Sequence, residues 1–133
     1  MNSELKSPAL LNNLEEIISF IKKQAKRANL SVEKINRLEL AAEEALVNII
    51  KHAYPSKEGY IKVKCKNNNH FILEIIDEGI PFNPLSAKNP RLDLDIDSRP
   101  IGGVGILLIK KMVDSVEYKR KNKSNLLRLI IKK

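Results

Sequence analysis

The spacing of apolar positions changes several times along the chain, and the changes divide it into elements. From about Leu10 to Asn29, the residues Leu11, Leu14, Ile18, Ile21, Ala25 and Ala28 fall on one side of a 3.6-residue repeat, which predicts an amphipathic helix. Ser31, followed by Val-Glu-Lys, offers its hydroxyl as the cap of a second helix. In that helix Ile35, Leu38, Ala42, Ala45, Ile49 and Ala53 make the core stripe, and Pro55, lacking an N–H, ends it. Two runs of alternating character, YIKVKCK and HFILEII, read as strands of a hairpin joined by Asn67, Asn68 and Asn69. DEGIPFNP breaks the second strand, and from Pro84 to Pro100 no period holds. GGVGILLIKKMVDSV then reads as a glycine-rich turn opening a helix with Leu108, Ile109, Met112 and Val116 inward. VEYKRK and NLLRLIIK form a closing hairpin that turns near Asn122 to Ser124.

Within the second helix, EEALVNIIKHAY carries Glu44, Asn48 and His52 at intervals of four. That interval stacks side chains along one helix face, so the three form a polar stripe beside the core stripe. Glu44 stands at the border of the buried face, whereas Glu43 points to the far side.

A chain of 133 residues with 43% hydrophobic content suits one compact domain, residues 1–133, with a core of its own. No apolar run approaches the ~20 residues that span a bilayer, and the start lacks a basic segment followed by an apolar one, so the expected location is the cytoplasm, away from membranes. The one cysteine, Cys65, alternates with lysines as Ile61 and Val63 do, and reads as a small core side chain. A formal net charge of +8 invites a nucleic-acid reading. The lysines are spread along the chain, however, aromatic residues make up only 5%, and no recognition-helix, zinc-finger or stacking pattern occurs, so no direct nucleic-acid partner is expected. A solvated basic face is the plain reading, with an acidic protein partner or a polyphosphate ligand second.

Three separated pieces carry chemistry: the Glu44, Asn48, His52 stripe; Asp77 and Gly79 where a buried strand stops; and Gly102, Gly103 and Gly105 before a helix. A carboxylate at a strand end accepts a hydrogen bond from an amino group, and a nearby glycine lets backbone approach a flat ligand. Glycines at a helix start expose N–H groups where anions are favoured. A neutral asparagine oxygen can join Mg²⁺ whose other positions go to phosphates and water. Together they describe a site for a magnesium nucleotide. Taken singly, each has a plainer reading: a tight turn, a surface i,i+4 pair, a cap. Neither the GxxxxGKS/T loop nor the GxGxxG spacing of a dinucleotide site is present.

In their order these pieces resemble the nucleotide boxes of the histidine-kinase-like ATPase superfamily. EEALVNIIKHAYP looks like its N box, DEGIPF its first glycine box and GGVGILLIKKMVD its second. More closely, LELAAEEALVNIIKHAYP, DEGIPFNPL and the tail from GGVG onward are similar to the bacterial anti-sigma-factor serine/threonine kinases. The resemblance implies an α+β fold, a two-layer α/β sandwich whose mixed, mostly antiparallel sheet has helices on one face. It implies ATP and Mg²⁺ as cofactors: Asn48 on the metal, Asp77 on the adenine amino group, Gly79 shaping the adenine pocket, and Gly103, Val104 and Gly105 cradling phosphates. Glu44 would be the general base. Lys51 and His52 occupy places that face phosphate oxygens in related ATPases, with a surface-lying lysine and a core-edge histidine as the alternatives. Residues 82–101 would be an ATP lid. The implied activity is phosphorylation of an anti-sigma antagonist of the STAS type by a chain that also binds a sigma factor or similar effector; the alternative is a non-catalytic ATP-binding regulatory module. A homodimer is possible, although where these kinases open with a strand that helps them dimerise, only SELKS precedes the first helix region here.

Overall fold

The computed structural model describes residues 2–55, 57–81 and 103–133, without the side chains of 103–106. The expected lid, 82–101, lies outside the described residues. Strand β1 (Asn2–Pro8) leads through a short 3₁₀ turn (Leu11–Asn13) into α1 (Leu14–Arg27) and α2 (Val32–His52). Strands β2 (Tyr60–Asn67) and β3 (His70–Asp77) follow, then α3 (Gly103–Met112), β4 (Ser115–Lys121) and β5 (Ser124–Lys132). The strands form one sheet in the order β1-β2-β3-β5-β4. All of its pairings are antiparallel, so the expected mixed sheet has no parallel member among the described strands.

The helices cover one face of this sheet, as alternation along the strands requires. Ile61, Val63 and Cys65 of β2, Phe71, Leu73 and Ile75 of β3, and Leu127, Leu129 and Ile131 of β5 all point into one core, where they meet Ile17 and Ile21 of α1, Leu38 and Leu46 of α2 and Ile109 of α3. The first-helix stripe needs correction: Leu11 is exposed in the 3₁₀ turn, and Ile17, absent from the expected stripe, is fully buried. Because the helix proper starts only at Leu14, its inward face is set by Ile17, Ile21 and Ala25. Its end is a Schellman turn, with Asn29 at φ 62°, Asn29 N–H donating to Lys26 O and Leu30 N–H to Ala25 O. As expected, Ser31 caps α2, its hydroxyl accepting from Lys34 N–H at 3.2 Å.

The opening segment is also corrected. Asn2–Pro8 is a full strand on the sheet edge, paired from Asn2↔Lys66 to Pro8↔Tyr60. Its inward positions hold one large apolar residue, the half-buried Leu5, so pairing with β2 rather than its own hydrophobicity makes it a strand. At the other end of the chain α3 begins at Gly103 itself, and Val116, expected on this helix, belongs to β4.

Candidate functional site

Asp77 is the last residue of β3, 5% exposed, at the edge of the core. Its Oδ1 accepts from Gly79 N–H at 2.8 Å and from the Asn125 side-chain amide at 2.9 Å. Burial pushes its carboxyl above the usual carboxylate range, opposed by those two hydrogen bonds and by the positive charge of Arg120. Gly79 is required by packing: a Cβ there would stand 2.4 Å from the Ala53 carbonyl oxygen, at the C-terminal cap of α2. That carbonyl also accepts from Ile80 N–H at 3.0 Å. The close approach expected of Gly79 is thus made to the end of α2, which sets the turn after Asp77 against the helix that carries the polar stripe.

Between that helix and the sheet lies a cleft of about 330 Å³, lined on the α2 side by Ala45, Asn48, Ile49 and His52 and on the sheet side by Asp77, Tyr118, Asn125 and Leu127. Its walls are mostly aliphatic with a few convergent polar groups, the usual make-up of a small-molecule site. The fold therefore brings Asn48, His52 and Asp77 to one cavity across a separation in sequence that no local motif spans. Glu44, one turn before Asn48, is half-buried and does not line the described cleft; Glu43 is exposed. Lys51 is exposed and outside the lining. Gly103, Val104 and Gly105 form the first turn of α3, where backbone N–H groups have no partner within the helix.

Several polar groups escaped the sequence reading. The two amide hydrogens of Asn125 go to Asp77 Oδ1 and to Ile80 O, each at 2.9 Å, and its oxygen accepts from the Tyr118 hydroxyl at 2.5 Å. Arg120 donates to Gly79 O at 2.9 Å. Tyr54 joins three elements: its hydroxyl donates to Tyr60 O at 2.6 Å and accepts from Glu78 N–H at 2.8 Å. Gly59 leaves room for that ring, since a Cβ at 59 would fall 2.2 Å from it. The one available signal was an asparagine at an inward position of a strand pattern, NLLRLIIK.

Among the described residues no three His, Cys, Asp or Glu side chains gather as a metal site. Asn48 lines the cleft with a neutral carboxamide, whose oxygen is a donor type that fits a hard cation held chiefly by a ligand's phosphates and water.

Comparison with known proteins agrees with this geometry. The family described as the histidine kinase-like ATPase domain matches residues 7–131. The serine/threonine-protein kinase BtrW of Bordetella bronchiseptica is 32% identical over 94 residues, 69% of this chain and 66% of that protein. The serine-protein kinase RsbW of Listeria innocua is 31% identical over 99 residues, 70% of this chain and 63% of that protein. The chain thus matches slightly less than two-thirds of the length of these relatives. Among solved structures, the RsbU and RsbW domains of a Mycobacterium tuberculosis protein superpose with a TM-score of 0.70 at 12% identity, over 99% of this chain and 32% of theirs. A histidine kinase domain from Erythrobacter litoralis gives 0.57 at 14% identity, over 90% and 60%. With its helix-covered antiparallel sheet and its cleft between Asn48 and Asp77, the chain belongs to the histidine kinase-like ATPase domain family.

Proposed function

We propose that the chain is a single cytoplasmic ATP-binding domain acting as a serine/threonine protein kinase in a partner-switching circuit, in which it binds a sigma factor or similar effector and phosphorylates a STAS-type anti-sigma antagonist. The observation that carries this reading is the buried Asp77 carboxylate at a strand end, sharing one aliphatic cleft with Asn48 and His52. Family membership and relatives named as serine-protein kinases support it. No helix among the described residues is long and apolar enough to cross a membrane. The edge position of β1 leaves one side of its backbone free of described partners, which suits a homodimer formed through that strand.

In this reading Asp77 accepts from the adenine amino group, and Gly79 keeps the pocket wall at backbone thickness. The first turn of α3, with Gly103, Val104 and Gly105, presents N–H groups to phosphates, and Lys51 and His52 face phosphate oxygens. Asn48 would hold Mg²⁺, which when bound offsets phosphate charge. A serine hydroxyl is a poor nucleophile at neutral pH, so Glu44, one turn from Asn48, takes its proton as the phosphoryl group transfers. Residues 82–101 are the proposed lid.

A second reading, a non-catalytic ATP-binding regulatory module, draws on the position of Glu44 outside the described cleft lining. The deciding experiment captures partners from the source cell with and without ATP and follows phosphoserine on them. Glu44→Gln should lower phosphorylation by about 10²–10⁴-fold with ATP affinity nearly unchanged. A Glu44→Gln protein as active as wild type removes the base assignment; a wild type that binds ATP and phosphorylates no captured protein favours the module.

A further inference from the structure

The hydrogen bonds around Asp77 assign a role to two residues of the C-terminal hairpin. A carboxamide has two N–H donors and one oxygen acceptor, and in Asn125 all three are engaged. The partners leave no choice of orientation. Asp77 Oδ1 as a carboxylate and Ile80 O as a carbonyl can only accept, so the nitrogen of Asn125 must face them and its oxygen must face Tyr118. Turning the amide over would set oxygen against two oxygens in a buried place, where an unsatisfied acceptor is costly.

We propose that Asn125, held in orientation by the Tyr118 hydroxyl, is a positioning residue that keeps the Asp77 carboxylate ionised and presented to the cleft. The part concerning nucleotide rests on the reading of Asp77 as the base-binding group. Asp77 is one of four buried polar or charged residues among those described, and a lone carboxylate in its place would favour its neutral form. A neutral carboxyl can turn its O–H toward a ligand and become a donor, which an exocyclic amino group does not accept. Asn125 opposes this by donating to Oδ1, the same oxygen that Gly79 N–H serves, so that the bonds from the described protein gather on one oxygen. With its second N–H on Ile80 O, and Arg120 on Gly79 O, the hairpin also fixes the turn that carries Asp77.

The groups facing Asp77 can be named from each neighbouring element. Strand β4 contributes Arg120 and Tyr118, and β5 contributes Asn125. His52 and, just beyond the end of the helix, Tyr54 approach from α2, and Glu78 follows in sequence. Helix α3 contributes the uncharged Ile109 and β2 the uncharged Ile61. Arg120 is the one arginine or lysine among these, and it donates its bond to a carbonyl, so the direct support of the ionised form comes from the hydrogen bonds of Asn125 and of Gly79 N–H.

Two measurements test this on the full chain. The first follows the Asp77 carboxyl by ¹³C NMR across the acid-to-neutral range in the absence of nucleotide. Its midpoint should move upward in Asn125→Leu, and by less in Tyr118→Phe, in which the amide loses the donor that orients it. The second measures ADP–Mg²⁺ affinity by calorimetry from about pH 5.5 to 8.5, where ionisation changes are read as changes in binding. Asn125→Leu should bind about ten-fold more weakly at neutral pH and regain affinity as pH rises. Asn125→Asp sets a second carboxylate beside Asp77, so the pair shares one proton at neutral pH, and affinity should be regained only as pH rises far enough to remove that proton. Tyr118→Phe retains the ring in the cleft and guards against a variant that merely fails to fold. An Asp77 midpoint that stays in place in both Asn125→Leu and Tyr118→Phe overturns the positioning role, whatever binds. A midpoint that moves as expected in the variants, together with a wild-type chain that does not bind ADP, supports the positioning role and removes the nucleotide reading of Asp77 alone.

Discussion

Asp77 is a carboxylate that folding makes harder to ionise. Because burial raises its pKa above the unfolded value, its contribution to stability is present below the ordinary carboxylate range and is lost as pH rises through the raised value. Once ionised, Asp77 is therefore carried against the chain's own stability, and the proposed nucleotide site uses that charge. Asp77→Asn keeps an oxygen for Gly79 N–H and Asn125 while removing the charge. It should melt higher than wild type without ligand and bind ADP about ten- to a hundred-fold more weakly, the scale of one charge-assisted hydrogen bond. Scanning fluorimetry and calorimetry read the two effects, and a variant that melts lower with unchanged affinity contradicts the assignment. Asp77, Gly79, Asn48 and His52 were legible in the sequence because each sits in a short local pattern. Asn125 and Tyr118 were not: Asn125 meets Asp77 across 48 residues, and no periodicity reports which distant strands become neighbours.

At the scale of elements, legibility followed the strength of the local signal. Helix α2 was readable from both its stripe and its cap, and the cap is testable by itself. Ser31→Ala removes the acceptor for Lys34 N–H and should lower stability by about 1 kcal/mol, about 3–6 °C in Tm for a domain of this size. A thermal melt within experimental error of wild type would show that solvent replaces the cap without loss. Strand β1 was not readable, since Leu5 is its one large inward apolar side chain and its shape comes from β2. The start of α3 was misplaced by the usual habit of reading adjacent glycines as a turn, whereas Gly103 and Gly105 are helical. Tertiary context overrides the weak helix propensity of glycine there.

For the whole molecule, β3 carries two buried carboxylates that face opposite sides of the sheet and respond oppositely to acid. Glu74, on the face opposite the described helices, is 4% exposed, with Arg128 at 2.7 Å and Lys66 at 3.1 Å; Arg128 also reaches Glu117 at 3.2 Å. Burial alone would raise the Glu74 carboxyl, but hydrogen bonds and charge from Arg128 and Lys66 outweigh it and hold the group below its ordinary value. The stability it confers is present above the ordinary carboxylate range and is lost as pH falls through the depressed value. Glu74→Gln should flatten the acid limb of a plot of Tm against pH, and Asp77→Asn should steepen it. Parallel limbs in wild type and both variants would show that neither group governs acid sensitivity. A carboxylate thus sits on the middle strand of the sheet, a feature hidden in the sequence because Glu74 and Arg128 lie 54 residues apart.

Cys65 gives the molecule an internal clock. Its thiol is 3% exposed between β2 and the helices, and burial pushes its pKa up to about 12, so the folded chain offers almost no thiolate to a thiol reagent near pH 8. Labelling then waits for the helix layer to lift from the sheet, and its rate counts those openings. A ligand that binds only the closed form should slow the count by the same factor that it stabilises the fold, about 100-fold at free nucleotide near 100 times Kd. Run with ATP, ADP and GTP in turn, the labelling rate of this single cysteine would rank nucleotides at the proposed site; equal rates with and without every nucleotide would argue against a nucleotide site coupled to the core.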